Sequence, residues 1–201
     1  MKPDPPFSAA LDRALRLACE AHAGQNRKGS SLPYAQHLFA VALIIQRLGF
    51  DDEVVQAAML HDILEDTPIT PARLELESGP TVAALVRCCT EVKLDENGQK
   101  RPWLARKQEH ATRLATAPIE ARAIALADKL HNLVSMNIEI AAGRHDWRHF
   151  NADRAAWIAT TRQSIELISQ AEPRDTRLDL LASHALAALS QIETPPTAPA
   201  R

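Results

Sequence analysis

The stretch HDILEDT (61–67) puts one histidine and three carboxylates into seven positions of an otherwise Ala/Leu-rich segment. Burying that much charge is costly unless something pairs with it or neutralises it. Glu65 follows His61 by four residues, and Asp66 follows Asp62 by four. On a helix such pairs are neighbours, about 5–6 Å apart at Cβ. On a continuous helix His61 and Asp62 point roughly 100° apart, yet both lean toward an ion lying between their directions. His37 sits in an equally apolar run, YAQHLFAVALII, and Asp128 sits in ALADKLHNL with Asn132 one turn later. One divalent cation held by His37, His61, Asp62 and Asp128 explains all four at once. Two neutral imidazoles and two carboxylates balance its charge, and mixed nitrogen and oxygen donors suit Mn²⁺, Fe²⁺, Co²⁺ or Zn²⁺. In the competing reading these acids pair with Arg122, Lys129 or other bases on solvated faces. Spacing alone does not choose between the two.

A bound cation acidifies water, and a carboxylate within hydrogen-bond reach takes the proton. Glu65 and Asp66 are the candidates for that role. They add negative charge, so a phosphate substrate needs bases opposite them. Arg27-Lys28, Lys100-Arg101 and Arg106-Lys107 are the available basic pairs. Arginine grips phosphate oxygens as a fork and lysine acts as a point charge. Taken alone, such pairs are ordinary solvated surface. The other histidines (His22, His110, His145, His149 and His184) stand near helix ends or on polar faces and are expected to be structural or solvated.

Helical spacing runs through the whole chain and strand-type alternation is almost absent. Ser8 is placed to cap a first helix ending near His22. A loop with Gly24, Gly29 and Pro33 leads to a second helix, about 34–48, that stops at Gly49. Asp51 or Asp52 caps a third helix that carries HDILEDT at its C-terminal end and closes before Pro68. Short helices are expected at 71–77 and 81–91. The polar segment LDENGQKRP (94–102) reads as a mobile loop. Further helices are expected at about 103–115, 118–140, 148–170 and 174–191. The tail TPPTAPAR has no apolar period and is expected to be disordered. The expected organisation is therefore one all-α domain over residues 1–193, a helical bundle, followed by the tail at 194–201.

The chain has 201 residues, 46% of them hydrophobic and 24% charged, an ordinary globular composition. A net charge of −2 gives no general attraction to nucleic acid or to a membrane surface. The apolar runs are shorter than the roughly 20 residues a membrane helix needs. Prolines and acids stand where a signal peptide would have its apolar stretch. The expected location is the cytoplasm. Cys19, Cys88 and Cys89 are read as small buried side chains.

Three blocks, AHAGQNRKGSSLPYAQH (21–37), LHDILEDT (60–67) and ALADKLHNL (125–133), resemble the hydrolase domain of RelA/SpoT-type alarmone enzymes. The style is that of the stand-alone small alarmone hydrolases. The blocks occur in that family's order, and the likeness extends over about residues 7–170. FNADRAAW (150–157) adds a weaker match. The resemblance implies an all-helical HD-superfamily bundle with one Mn²⁺ ion. It also implies removal of the 3′-pyrophosphate of ppGpp or pppGpp to give GDP or GTP. By the same likeness His37, His61, Asp62 and Asp128 are metal ligands, and Glu65 and Asp66 activate the water. Arg27, Lys28, Asn132 and Ser135 are nucleotide-binding positions.

Two departures bear on the substrate. The family's basic loop usually has the form Arg-Lys-x-Gly-x-Pro-Tyr, whereas RKGSSLPY has one residue more. Val134 follows Leu133 where the family commonly has Arg. After the hydrolase region is subtracted, no room for a synthetase domain is expected. The alternatives are an HD-type phosphohydrolase acting on an adenine alarmone, a nucleoside monophosphate or NADPH, and a non-catalytic nucleotide-binding regulator. A small-molecule nucleotide is the expected partner in each case. The sequence does not set the oligomeric state.

Overall fold

The structure, a computed structural model, describes residues 7–145, 147 and 152–194. These form ten helices and no sheet; two isolated antiparallel bridges, Asn26 with Pro33 and Leu94 with Lys100, are their only extended pairings. The protein is all-α, as its periodicity predicts. Contacts divide the chain into two compact units, Met1–Thr90 and Glu91–Arg201. The tail expected to be disordered falls, apart from Thr194, outside the described residues, as does the start expected for a helix at 148.

In the first unit α1 (Ala9–Ala21) begins at Ser8, whose hydroxyl accepts from the Leu11 N–H. This is the cap the sequence predicts. α2 (Ala35–Arg47) ends before Gly49, whose φ of +72° suits a residue without Cβ. α3 (Asp52–Met59) packs against α1, α2 and α6, and Val54 through Met59 are all buried. Each large apolar side chain so buried stabilises by about 1.5–3 kcal/mol. α4 (Ile63–Asp66) is a single turn. α5 (Pro71–Ser78) and α6 (Pro80–Cys89) are joined at Gly79 alone, which closes one and opens the other at φ +85°. Pro80 can follow directly because a first-turn residue needs no N–H partner.

The expected third helix is two helices. α3 stops at Met59, and Leu60 (φ −109°, ψ 4°) and Asp62 (φ −96°, ψ −2°) take bridge-region conformations before α4 starts. Leu60 N–H still reaches back to Gln56 and Ala57, while the Ile63 and Glu65 amides bond only three residues back. HDILEDT therefore lies on a turn followed by one helical turn, not on the end of a longer helix.

In the second unit α8 (Ile119–Ala141) lies along α10 (Thr176–Glu193), and α9 (Arg154–Gln170) packs on α7 (Trp103–Ala115), α8 and α10. Arg122 is fully buried on α8. It donates to the carbonyls of Ile168, Ser169, Ala171 and Pro173, at and beyond the C-terminus of α9. The Ile168 and Ser169 carbonyls are among those a helix end leaves without internal partners. Arg122 is thus a helix cap and does not pair with the acids of the sequence motifs.

The segment 94–102 has more order than a polar loop requires. Asp95 Oδ1 accepts from the Asn97 and Gln99 amides, and the Arg101 amide bonds the Lys93 carbonyl. Cys89 is buried, but Cys88 is only partly so and Cys19 is exposed, against expectation, because its position on α1 faces outward.

Candidate metal centre and its surroundings

The first unit brings His37, His61 and Asp62 together. His37 is one turn into α2, and His61 and Asp62 lie on the turn between α3 and α4. Both imidazoles are buried. Asp62 Oδ2 lies 3.1 Å from His61 Nε2 and 3.7 Å from His37 Nε2. The rings meet edge to face with centroids 5.2 Å apart. His61 Nδ1 is 2.9 Å from the Ala58 carbonyl. A carbonyl can only accept, so Nδ1 carries a proton, and in the neutral ring the Nε2 lone pair is left for an ion. Fixing one ring nitrogen on a carbonyl is how metal-binding histidines are oriented. Two imidazole nitrogens around one carboxylate oxygen, in a buried setting, fit a divalent cation.

The break after Met59 makes this geometry. Continued as a helix, His61 and Asp62 would diverge by roughly 100°. The turn instead lets adjacent residues converge. Glu65 is half-buried and Asp66 exposed on α4. Their amides both bond the Asp62 carbonyl, at 3.0 and 3.1 Å, so the acids are anchored to the residue that bears the carboxylate. Thr67 Oγ1 closes the turn by donating to the Ile63 carbonyl at 2.6 Å.

The basic loop is built by the Asn26–Pro33 bridge. Arg27 N–H bonds the Leu32 carbonyl at 2.8 Å, and the extra loop residue is accommodated inside this closed turn. Arg27 is half-buried, with Cζ 5.6 Å from the Tyr34 ring centroid; Lys28 is exposed. Tyr34 Oη donates to Asp62 Oδ2 at 2.6 Å. His22, at the end of α1 as expected, is buried and stacked on Tyr34 at 5.1 Å. Tyr34 and His22 were not singled out by spacing. Tyr34 stands three residues before His37, which places the two on one face of a helix start.

The second unit holds Asp128, Asn132 and Ser135 on α8. Asn132 Nδ2 donates to Asp128 Oδ1 at 2.6 Å, and Ser135 Oγ is 3.4 Å from His131 Nε2. Val134 is an exposed apolar residue. Three of the basic candidates are engaged within this unit. Arg106 Nη1 and Lys107 Nζ each lie 2.5 Å from buried Glu91, and Arg101 pairs with Glu109. Burial pushes the Glu91 carboxyl up, but Lys107 and Arg106 outweigh it and hold the group below its usual range. His110 is lowered to about 4, first by burial and then by Lys129, Lys107 and Arg113. Burial also lowers the Lys129 ammonium, with Lys107 adding to the effect. Lys107 and Arg106 thus stabilise a buried carboxylate instead of standing ready for phosphate.

Residues 14–149 match the family described as HD domain. The chain belongs to the HD-domain family. This HD-domain protein is 37% identical over 133 residues to the zebrafish (Danio rerio) guanosine-3′,5′-bis(diphosphate) 3′-pyrophosphohydrolase MESH1, covering 65% of this chain and 71% of the relative. It is 40% identical over 119 residues to a guanosine-3′,5′-bis(diphosphate) 3′-pyrophosphohydrolase of Haemophilus influenzae, covering 58% of this chain and 17% of the longer protein. Among solved structures, that of a metazoan SpoT orthologue described as hydrolysing ppGpp superposes with a TM-score of 0.73 at 26% identity, covering 91% of this chain and 97% of the other. The Listeria monocytogenes protein lmo0812 gives a TM-score of 0.64 at 29% identity, covering 77% and 99%. The HD helical fold and the likeness to alarmone hydrolases thus stand on sequence and structure together. No described helix of this HD-domain protein is long and apolar enough to cross a membrane.

Proposed function

We propose that this HD-domain protein is a metal-dependent alarmone 3′-pyrophosphohydrolase. In the proposed reaction ppGpp or pppGpp and water give GDP or GTP and pyrophosphate. The observation that carries it is the convergence of His37 Nε2 and His61 Nε2 on Asp62 Oδ2 in a chain similar to named ppGpp hydrolases. Asp128 is the fourth ligand in this reading, and Mn²⁺ the ion. A cation there supplies positive charge for the developing phosphoryl oxygens and acidifies a water.

The chain's own residues do the rest. Glu65 and Asp66 orient the attacking water and accept its proton. Water attacks the phosphorus attached to O3′. The O3′–P bond breaks, the pyrophosphate is released with the water oxygen, and O3′ leaves as a hydroxyl, taking the proton that the carboxylates accepted. Arg27 and Lys28 hold phosphate oxygens, and Asn132 and Ser135 hold the nucleoside. Arg27 remains the better-placed base of the loop, since its guanidinium is oriented on the Tyr34 ring. The proposed setting is the cytoplasm.

The test is a substrate panel. Metal-reconstituted protein is incubated with ppGpp, pppGpp, pppApp and NADPH, and products are separated by chromatography. The expected result is pyrophosphate from the guanine alarmones, with turnover lost on chelation. Preferential cleavage of pppApp or NADPH favours the second reading, another nucleotide, which the exposed Val134 in place of a family arginine specifically supports. No product from any of them removes the proposed activity.

A further inference from the structure

Tyr34 makes more specific contacts to the proposed site than any role assigned so far explains. Its backbone is pinned on both sides: its N–H bonds the Gln25 carbonyl at 2.9 Å, and its own carbonyl accepts from the His37 N–H at 2.9 Å. Its hydroxyl donates to Asp62 Oδ2 at 2.6 Å, within the short range of a hydroxyl bonded to a carboxylate. That is the same oxygen that faces both imidazole nitrogens. A carboxylate oxygen has two lone-pair directions, so one can take the phenol while the other stays directed at the histidines.

The ring is fixed as firmly as the hydroxyl. His22 stacks on it with planes 21° apart, and His37 meets it edge-on at 5.6 Å. His22 is in turn held by Gln25: His22 Nδ1 lies 2.8 Å from Gln25 Oε1, and Gln25 Nε2 donates to the Asp66 carbonyl at 2.8 Å. Because the Gln25 amide nitrogen faces a carbonyl, its oxygen must be the acceptor, and His22 Nδ1 carries the proton. A closed circuit therefore runs from Asp66 through Gln25, His22 and Tyr34 to Asp62. Arg27 lies over the same phenol ring, at cation–π distance.

We infer that Tyr34 is a positioning residue that ties the basic loop to the metal-binding turn. Its hydroxyl holds Asp62 in the orientation from which the carboxylate ligates a divalent cation, and its ring carries Arg27 toward phosphate. The inference rests on the roles proposed above for Asp62 and Arg27. Without the phenol, Asp62 is free to leave the orientation that serves the imidazoles. Groups that orient metal ligands in this way typically change metal affinity or activity by about 10–100-fold when removed.

The experiment separates the hydroxyl from the ring. The metal-free 201-residue wild type, Tyr34→Phe and Tyr34→Leu are titrated with Mn²⁺ alone by calorimetry, well below each melting midpoint. Steady-state hydrolysis of ppGpp follows on the metal-loaded proteins. Tyr34→Phe is expected to weaken Mn²⁺ binding about 10-fold or more. It should also lower kcat and leave KM within about twofold, because the ring still carries Arg27. Tyr34→Leu is expected to show the same loss of metal affinity together with a raised KM. A merely structural role would lower the melting midpoint of the metal-free protein and leave the affinity of the folded protein unchanged. Wild-type Mn²⁺ affinity in Tyr34→Phe overturns the inference, as does a wild type that binds no Mn²⁺. A wild type that binds Mn²⁺ but leaves ppGpp intact removes the proposed substrate, and the titration still decides the role of Tyr34.

Discussion

Glu65 and Asp66 are the residues proposed to take the water's proton, and their separation from the proposed ligands makes that role testable. They sit on α4, their amides bonded to the Asp62 carbonyl, while Asp62 and His61 occupy the turn before it. Glu65→Gln keeps the shape and removes the base. It is expected to lower kcat by roughly 10²–10⁴-fold with Mn²⁺ binding retained. His61→Ala should lose both. Full activity in Glu65→Gln at neutral pH would show the assignment to be wrong. His110 supplies a pH prediction. Its folded value of about 4 lies below the ordinary 6.5, chiefly through burial, with Lys129, Lys107 and Arg113 adding to it. As pH falls below about 6.5 the unfolded chain takes up this proton before the folded one does, so stability declines until about pH 4 and is level below. The full contribution is about 3 kcal/mol. His110→Gln should therefore lose less stability between pH 7 and pH 4.5 than the wild type in urea unfolding.

Helix boundaries set by caps were legible in the sequence, and the decisive break was not. Ser8, Pro71 and the Gly79-Pro80 step announce helix ends through side-chain oxygens, a fixed φ and a missing Cβ. AAMLHDILEDT has no such punctuation. It holds no Gly or Pro before Pro68, and the interruption at Leu60–Asp62 is backbone conformation that no single residue type demands. His37, His61 and Asp62 could still be singled out, because polar groups in apolar runs need a reason. Tyr34, His22 and Gln25 could not, because their contacts span 28 and 41 residues or join aromatic rings that no periodicity reveals. The role of Arg122 is hidden from the sequence on similar grounds. Its partners lie 46 to 51 residues away on the α9 terminus. Arg122→Met should strand those carbonyls, at about 1–3 kcal/mol for each one buried without a partner. Urea unfolding is expected to show a loss of roughly 3 kcal/mol or more. A loss under 1 kcal/mol would mean that water or local rearrangement replaces the guanidinium.

A chain of net charge −2 has no field of its own to draw in a polyanion such as ppGpp, so a local cation must do it. The proposed divalent ion would be the largest such charge. It also links folding to the site, since only the folded chain offers His37, His61 and Asp62 in convergence. At 100-fold excess over its dissociation constant an ion stabilises by about 2.7 kcal/mol. For a chain of this length that raises the melting midpoint by roughly 5–10 °C. Chelation should reverse the shift, and His61→Ala and Asp128→Asn should abolish it. A full shift in Asp128→Asn would remove that residue from the proposed ligand set. The most direct test of the whole account is hydrolysis of ppGpp by the Mn²⁺-loaded protein in ¹⁸O-labelled water, read by mass spectrometry. The expected products are unlabelled GDP and pyrophosphate carrying one ¹⁸O, since water attacks phosphorus and the O3′–P bond breaks. Intact ppGpp, or label at the 3′ oxygen of GDP, would contradict it.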